Sequence, residues 1–457
     1  MIVNGLVWAV GMGLLGAVVF AAIGLVSGTD ETATLAPITL LVVLLGTPPA
    51  GVLTFFIAGA VSKHMTHAIP TTLLGIPGDT TAVPLLDDAT ALRRLGAPHI
   101  ALRKALAGGL LAALIAVPIS VGIAALLAPL AGPLKLAAPF VFLVAAVFVG
   151  YFSPGRWASV LAIAPFALLV AALNALAGAA LGKPLSISFF LGIAIGPLVV
   201  DLLLATSRSG RDTLPRSGPR TVWLAPDVGV GGRWFPNPLT ILSRRQAVTT
   251  AVVAGVTSTT FMLSPVAATV LAGEIVGARI RHPYRRLSTL MAVKNGTTES
   301  TYLAETLIPL VAFGLPLSPV AAGPAAALFN APPVYTVNAP GGGVHNLHSL
   351  LQTWQFLVYG LLGVLIAGLV AYPFAMRYAR AASAWASRTI SHEALIGAFA
   401  ALIAVVSWYE GGLLGLTISV TIGAVGGLAN RVLGMTSGVQ FMAYYVAVLS
   451  VPLLPAS

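Results

Sequence analysis

Ile69-Pro70-Thr71-Thr72-Leu73-Leu74-Gly75-Ile76-Pro77-Gly78-Asp79-Thr80 is the stretch that decides how this chain folds, because its frame returns later in the sequence. Ile308-Pro309, four residues, and then Gly314-Leu315-Pro316-Leu317-Ser318-Pro319 repeat it. Each copy interrupts an apolar run with helix-breaking residues and with small hydroxyls or a carboxylate. In lipid, backbone exposed in this way is tolerated only where it lines a protein-enclosed cavity. Two such interruptions at corresponding places in two halves mark the binding site of a secondary carrier.

The composition sets the environment. Hydrophobic residues make up 58% of the 457-residue chain and charged residues 8%, with a mean hydropathy of +0.96. Soluble domains carry about 25% charged residues, so most of this chain is expected inside a bilayer. The 48 glycines and 32 prolines suit close-packed and broken membrane helices. With no cysteine, disulfides, thiolate catalysis and cysteine metal ligands are excluded. The net charge of +11 comes largely from arginines in short segments flanking apolar runs. Topology and anionic headgroups account for that placement, and nucleic acid is not expected as a partner.

Residues 2–26 lack a basic n-region and a small-residue cleavage site, so they read as a first membrane helix rather than a signal peptide. Apolar windows of about 20 residues then fall near 104–128, 132–151, 157–180, 185–204, 247–272, 351–373, 393–408, 411–429 and 437–455. Residues 33–61 contain two shorter runs divided at Gly46-Thr47-Pro48-Pro49, either a helical hairpin or one kinked span. The fold expected is an all-α polytopic membrane protein of roughly ten to twelve spans plus two re-entrant elements. It divides into a first repeat, 1–204, a basic loop, 205–246, and a second repeat, 247–457. Arg208, Arg211, Arg216, Arg220, Arg233, Arg244 and Arg245 favour a cytoplasmic loop, with the absolute orientation left open by the next basic run. Arg279, Arg281, Arg285 and Arg286 then face the opposite side unless residues 247–275 form a broken or re-entrant pair. About five spans separate the signatures, and an odd number inverts one repeat relative to the other. A further polar break precedes each signature, Gly24 to Thr32 in one half and Gly255 to Thr260 in the other.

The chemistry of these breaks is that of an anion and its coupling ion. Gly75 and Gly78 permit close backbone approach and Pro77 keeps the helix from closing. The N–H groups freed by unwinding suit a carboxylate substrate, and nearby oxygens suit sodium, or a proton at Asp79. A single Gly-x-Pro-Gly is more often a kink whose threonines bond back to their own helix; the duplication favours a site. Almost every arginine and lysine lies in a loop, so the substrate is expected on backbone and hydroxyl groups: Gly75, Pro77, Gly78 and Thr80, then Thr297, Thr298, Gly314, Pro316 and Ser318. Asp79, Asp30, Thr29 and Glu299 are the expected ion-coupling residues. No catalytic residue, resident metal or cofactor is expected; the coupling ion is Na+ or H+. Asp201 and Glu274 divide evenly between interfacial and functional roles. Asp87-Asp88 with Arg93-Arg94 reads as a solvated helix end, and His64 with His67 as an interfacial pair, since no third metal ligand stands near them in the sequence. Gly341-Gly342-Gly343 has no following Gly-Lys-Ser/Thr and is not a phosphate loop.

Ile76-Pro77-Gly78, then Leu85-Leu86-Asp87-Asp88 and Arg93-Arg94-Leu95-Gly96, resembles a stretch of the large membrane subunit of tripartite tricarboxylate transporters, the TctA family. Leu307-Ile308-Pro309-Leu310, then Gly314-Leu315-Pro316 and Ser318, is similar to that family's second signature. The chain diverges where Thr66-His67-Ala68 replaces the family's Gly-Gly-Ser and Leu317 its second glycine. The resemblance implies a permease for small organic carboxylates, tricarboxylate- or dicarboxylate-like, driven by an ion gradient. It also implies a small membrane subunit and an extracytoplasmic solute-binding protein as partners, in the plasma membrane of a prokaryote. The competing classes are a polytopic membrane enzyme and a channel. Neither has a motif here: there is no HExxH, and two dissimilar breaks do not make a repeated filter.

Overall fold

A computed structural model describes residues 2–27, 29–182, 185–206, 234–261, 263–329, 346–389 and 392–449. Most of the expected basic loop, residues 207–233, and Gly341-Gly342-Gly343 lie outside the described residues. Within them the chain is helical, with no strand. The helices of the first half are α1 (Ile2–Gly24), α2 (Glu31–Leu44), α3 (Pro49–Ile69), α4 (Leu86–Arg94), α5 (Pro98–Leu127), α6 (Ala138–Phe152), α7 (Trp157–Leu181) and α8 (Ser186–Thr206). Those of the second half are α9 (Arg244–Thr257), α10 (Pro265–Gly277), α11 (Pro283–Ala312), α12 (Thr353–Thr389), α13 (His392–Leu433) and α14 (Ser437–Leu449).

Among the described residues, five helical segments are long and apolar enough to cross a membrane: Gly5–Gly24, Pro98–Leu134, Trp157–Leu181, Thr353–Ala386 and Ala400–Leu433. The last of these is folded back on itself. Gly412 has φ 58 and ψ −138 inside α13, and the Ser407 hydroxyl donates to that of Ser419 at 3.0 Å across twelve residues. A straight helix separates such residues by about 18 Å. The reversal at Gly411-Gly412 therefore makes two antiparallel segments where two windows were expected.

Two helices that apolarity alone passes over occupy the centre. Every residue of α3 after Pro49 is buried, and so are nearly all of α11 from Ser288 to Ala312. Both carry many hydroxyls and charges and so score poorly as spans, but they are sheathed by protein rather than by lipid. α3 packs against α1 and α12, and α11 against α5, α9 and α10. α5 and α11 approach closely, because a Cβ on Gly108 would lie 2.7 Å from the Ala292 Cα, the small-residue contact typical of membrane helices. Asn295 Nδ2 donates to the Ala105 carbonyl at 2.9 Å across this seam.

A second group of helices comprises α6, α7, α8, α13 and α14. Each group draws helices from both halves of the sequence. The half-buried Glu410 carboxylate joins α13 to α8, accepting from Ile187 N, Ser188 N and Ser188 Oγ at the first turn of α8. The apolar window near 247–272 is broken: α9 ends with Ser258 as its cap and α10 starts from Ser264, whose hydroxyl accepts from Ala267 N. Ser264-Pro265 stops a continuous helix there for a local reason, since proline at the first helical position starts a new helix.

Candidate functional site

Both signature segments unwind. After α3 the chain makes a π-helical turn, Pro70–Leu74, and Gly75 takes the left-handed conformation with φ 71. After α11, Gly314 does so with φ 64, its N–H donating to the Pro309 carbonyl at 3.0 Å. In each case the left-handed glycine lies five residues beyond the proline, and the residue nine beyond it caps the next short helix. Asp79 caps Thr80–Leu85 through Thr81 N and Ala82 N. Ser318 caps Pro319–Ala322 through Ala321 N, and its hydroxyl donates to the Glu305 carbonyl at 2.7 Å. Glu305 Oε2 accepts from Val320 N at 3.1 Å, placing a buried carboxylate at the second break as well.

The first break is fixed from several sides. Arg93 Nη1 donates to the Leu74 carbonyl at 2.6 Å and the Ser27 hydroxyl to that of Pro77 at 2.6 Å. Gly78 lies against α3 so closely that a Cβ would sit 2.5 Å from His67 Cβ and 2.6 Å from the His67 carbonyl. Lys294 Nζ bonds to the Pro84 carbonyl at 2.9 Å and to Asp88 Oδ2 at 2.5 Å, tying α11 to this region. Of the two acids at the start of α4, Asp87 is exposed as a solvated helix end requires, whereas Asp88 is buried and answered by a lysine from the other half.

Between the breaks lies a cluster of buried charges. Lys63 and His67 share one face of α3, one helical turn apart, and both reach the same Asp79 oxygen. Lys63 Nζ lies 2.7 Å and His67 Nδ1 2.9 Å from Asp79 Oδ2. Asp79 Oδ1 accepts from Thr81 N, Thr81 Oγ1 and Ala82 N at 3.0, 2.8 and 3.1 Å. Lys63 also donates to the Thr29 carbonyl at 2.9 Å and stands 4.0 Å from Glu31 Oε1. His64 spans two carboxylates, with Nε2 2.5 Å from Glu31 Oε1 and Nδ1 3.0 Å from Glu299 Oε2. The Tyr302 ring meets that imidazole edge-on at 4.6 Å. Within the cluster, His67 Nε2, Glu299 Oε1 and the Tyr302 hydroxyl have no hydrogen-bond partner among the described residues.

The expected interfacial pair, His64 and His67, is therefore corrected. Both imidazoles are buried, and their apparent lack of a partner in the sequence reflects carboxylates brought in from α2, the first break and α11. Glu31, His67 and Asp79 offer ligand atoms within 4.8 Å of one another. The Asp79 oxygens are taken up by hydrogen bonds and the Lys63 ammonium stands against them, which makes this an ion-pair network rather than a metal centre.

Of the expected ion-coupling residues, Asp79, Thr29 and Glu299 belong to this network. Asp30 stands beside it as the half-buried cap of α2, accepting from Thr32 N and Ala33 N at 2.8 and 3.2 Å. The expected substrate residues divide. Gly75, Pro77 and Gly78 line the first break; Gly314, Pro316 and Ser318 are buried in the second. Thr80 is exposed. Thr297 and Thr298 bond back to Val293 and Lys294 carbonyls of their own helix, and Thr298 also meets Thr269 at 2.9 Å. The first turn of α2 touches both breaks: Thr29 and Glu31 face Lys63 beside Asp79, while a Cβ on Gly323, just past the second break, would lie 3.2 Å from Thr32 Oγ1. Sequence reasoning missed Lys63; Glu31 it read, with Asp30 and Glu299, as a functional acid in a polar cluster. The available signal was a lysine and two histidines within an apolar run immediately before a break, where an ionisable group is functional by default.

The family model described as tripartite tricarboxylate transporter TctA family matches residues 10–437. No curated protein and no solved structure matches the chain.

Proposed function

The chain belongs to the tripartite tricarboxylate transporter TctA family, and from that premise we propose that it is the permease of a secondary carrier for small organic carboxylates, coupled to an ion gradient. The observation that carries this reading is the pair of helix breaks in the same register, with the network of Lys63, His64, Asp79, Glu31 and Glu299 between them. Broken helices present free N–H groups and partial positive charge to an anion, about half a charge per helix end, so two converging breaks serve a carboxylate better than one. Gly75, Pro77 and Gly78 of the first break, with Gly314, Pro316 and Ser318 of the second, form the proposed cradle once the N–H groups of Gly75, Gly78 and Gly314 leave Pro70 O, Thr71 Oγ1 and Pro309 O, their acceptors in this structure. Thr80, Thr297 and Thr298 complete it only after rearrangement, since one is exposed and the other two are satisfied within α11.

The register also supports descent of the two halves from one inverted repeat, with 1–204 and 247–457 as its copies. Acids and bases in the buried network are the means of coupling, because charges at this depth persist only when paired and change partner when an ion enters or leaves. Family membership supports the remaining parts: a small membrane subunit and an extracytoplasmic solute-binding protein as partners, and a prokaryotic plasma membrane as the setting.

Uptake of radiolabelled citrate and of a C4-dicarboxylate into proteoliposomes, with and without imposed proton and sodium gradients, tests the reading. Gradient-driven accumulation of either acid is expected once the partner subunits are supplied. Conductance independent of substrate points instead to a channel, and chemical conversion without translocation to an enzyme.

A further inference from the structure

We propose that Lys63 is a tethered cation filling the place that a coupling sodium ion would take, so that the ion coupled in this chain is the proton. The inference rests on the ion-coupled reading above and names its ion. Oxygens of the kind that bind sodium at an unwound helix are a backbone carbonyl at the break and carboxylates close by. Here such oxygens come from three places in the chain and converge on one ammonium: Thr29 O at 2.9 Å, Asp79 Oδ2 at 2.7 Å and Glu31 Oε1 at 4.0 Å from Nζ. An ammonium has three hydrogens and no acceptor, and the Lys63 side chain is 0% exposed, so no water shell competes for them.

A sodium ion entering beside Lys63 finds both oxygens of Asp79 already taken. Asp79 Oδ1 accepts three hydrogen bonds and Oδ2 two. It also meets a fixed positive charge at contact distance in a medium that screens poorly. Of the residues assigned to ion coupling from sequence, Asp79, Asp30, Thr29 and Glu299, two, Asp79 and Thr29, are therefore already serving a cation. The groups left to exchange an ion are those whose charge changes without displacement. His64 lies between Glu31 and Glu299, and Glu299 Oε1, His67 Nε2 and the Tyr302 hydroxyl are buried without a hydrogen-bond partner among the described residues. Asp30 on α2, Glu305 on α11 and the Lys294–Asp88 pair are further charged groups on the elements packed around them. A proton moving between Nδ1 of His64 and Oε2 of Glu299 breaks one N–H bond and forms one O–H bond, with no net change in atoms or electrons. A proton reaching the free Glu299 oxygen from solution is the coupled ion.

Sodium alone is the probe. The full-length chain in detergent is melted by intrinsic tryptophan fluorescence at constant ionic strength, in about 300 mM NaCl or choline chloride. Wild type is expected to melt at the same temperature in both salts. Lys63→Ala vacates the ammonium position, and sodium is expected to raise its melting temperature by about 3 °C, as a ligand bound only by the folded state does. A sodium-specific rise in wild type overturns the proposal, and so does a folded Lys63→Ala that ignores sodium. If Lys63→Ala does not fold, Lys63→Ser is melted in the same salts, and wild type alone still decides: no sodium response supports the proposal and a response ends it. The melt needs no substrate, so failure of the carboxylate-carrier reading, seen as absent uptake, is read separately.

Discussion

His64 Nδ1 lies 3.0 Å from Glu299 Oε2, although 235 residues separate the two in sequence. The contact joins α3 to α11, and Glu31 at 2.5 Å on the other ring nitrogen extends it to α2. Removing one partner of a buried charged pair leaves the other uncompensated, at a cost of about 3 to 5 kcal/mol. His64→Ala is therefore expected to lower the melting temperature by several degrees. Glu299→Gln keeps a neutral hydrogen-bonding group in place, so it is expected to fold with a smaller loss but to uncouple uptake from the proton gradient. Proton-driven uptake at the wild-type rate by Glu299→Gln removes this pair from the coupling path.

Asp79→Asn distinguishes a hub from a bystander. The five hydrogen bonds converging on this carboxylate all come from donors. An amide can satisfy one set through its oxygen, but its NH2 then faces the Lys63 ammonium or the capping N–H groups. The variant is expected to lose about 3 to 5 kcal/mol of stability, as well as coupled uptake. A melting curve superimposable on wild type shows that the carboxylate charge is not what holds the break.

What the sequence disclosed was local. Pro70 ends α3, Pro309 stands in the last turn of α11, and Gly75 and Gly314 turn left-handed, because those residues restrict or free their own backbone whatever surrounds them. The reversal at Gly411-Gly412 and the division at Gly46 to Pro49 into α2 and α3 were legible for the same reason. The continuation of α3 beyond Val61 and the whole of α11 were not. Hydropathy reports contact with lipid, whereas α3 and α11 are buried in protein, so their polar residues disguise them. The site was legible in its acids, Asp79 and Glu299, but not in its bases. Lys63 finds Thr29 across 34 residues and His64 finds Glu299 across 235, distances over which neither spacing nor periodicity carries information.

Gly78→Ala tests the close approach of the first break to α3. The added methyl would lie 2.5 Å from His67 Cβ, and the His67 Cα at 2.9 Å leaves it no way round, so backbone must shift. Overpacking of this kind costs about 1 to 3 kcal/mol. Because His67 holds Asp79, carboxylate uptake is expected to fall with it. Gly122→Ala is the control, on an exposed face of α5 with nothing within 4 Å of the new Cβ. Gly412 is unsuitable, since its φ of 58 makes any side chain strained. Equal uptake by the two variants separates the Gly78 contact from transport.

Glu410→Gln probes a charge outside the proposed site. The carboxylate stands at the N-terminal turn of α8 and accepts from two backbone N–H groups and the Ser188 hydroxyl. It caps that helix from α13, next to the Gly411-Gly412 reversal. A negative charge at a helix N-terminus offsets the unpaired N–H groups and the helix dipole, and loss of such a cap costs about 1 to 2 kcal/mol. The amide keeps one acceptor but turns a donor toward Ser188 N. The expected result is a melting temperature lower by roughly 2 to 6 °C, with the ratio of proton-driven to undriven uptake unchanged. A variant that melts like wild type but loses its response to the gradient would instead place Glu410 in the coupling path and extend that path into the α8–α13 group.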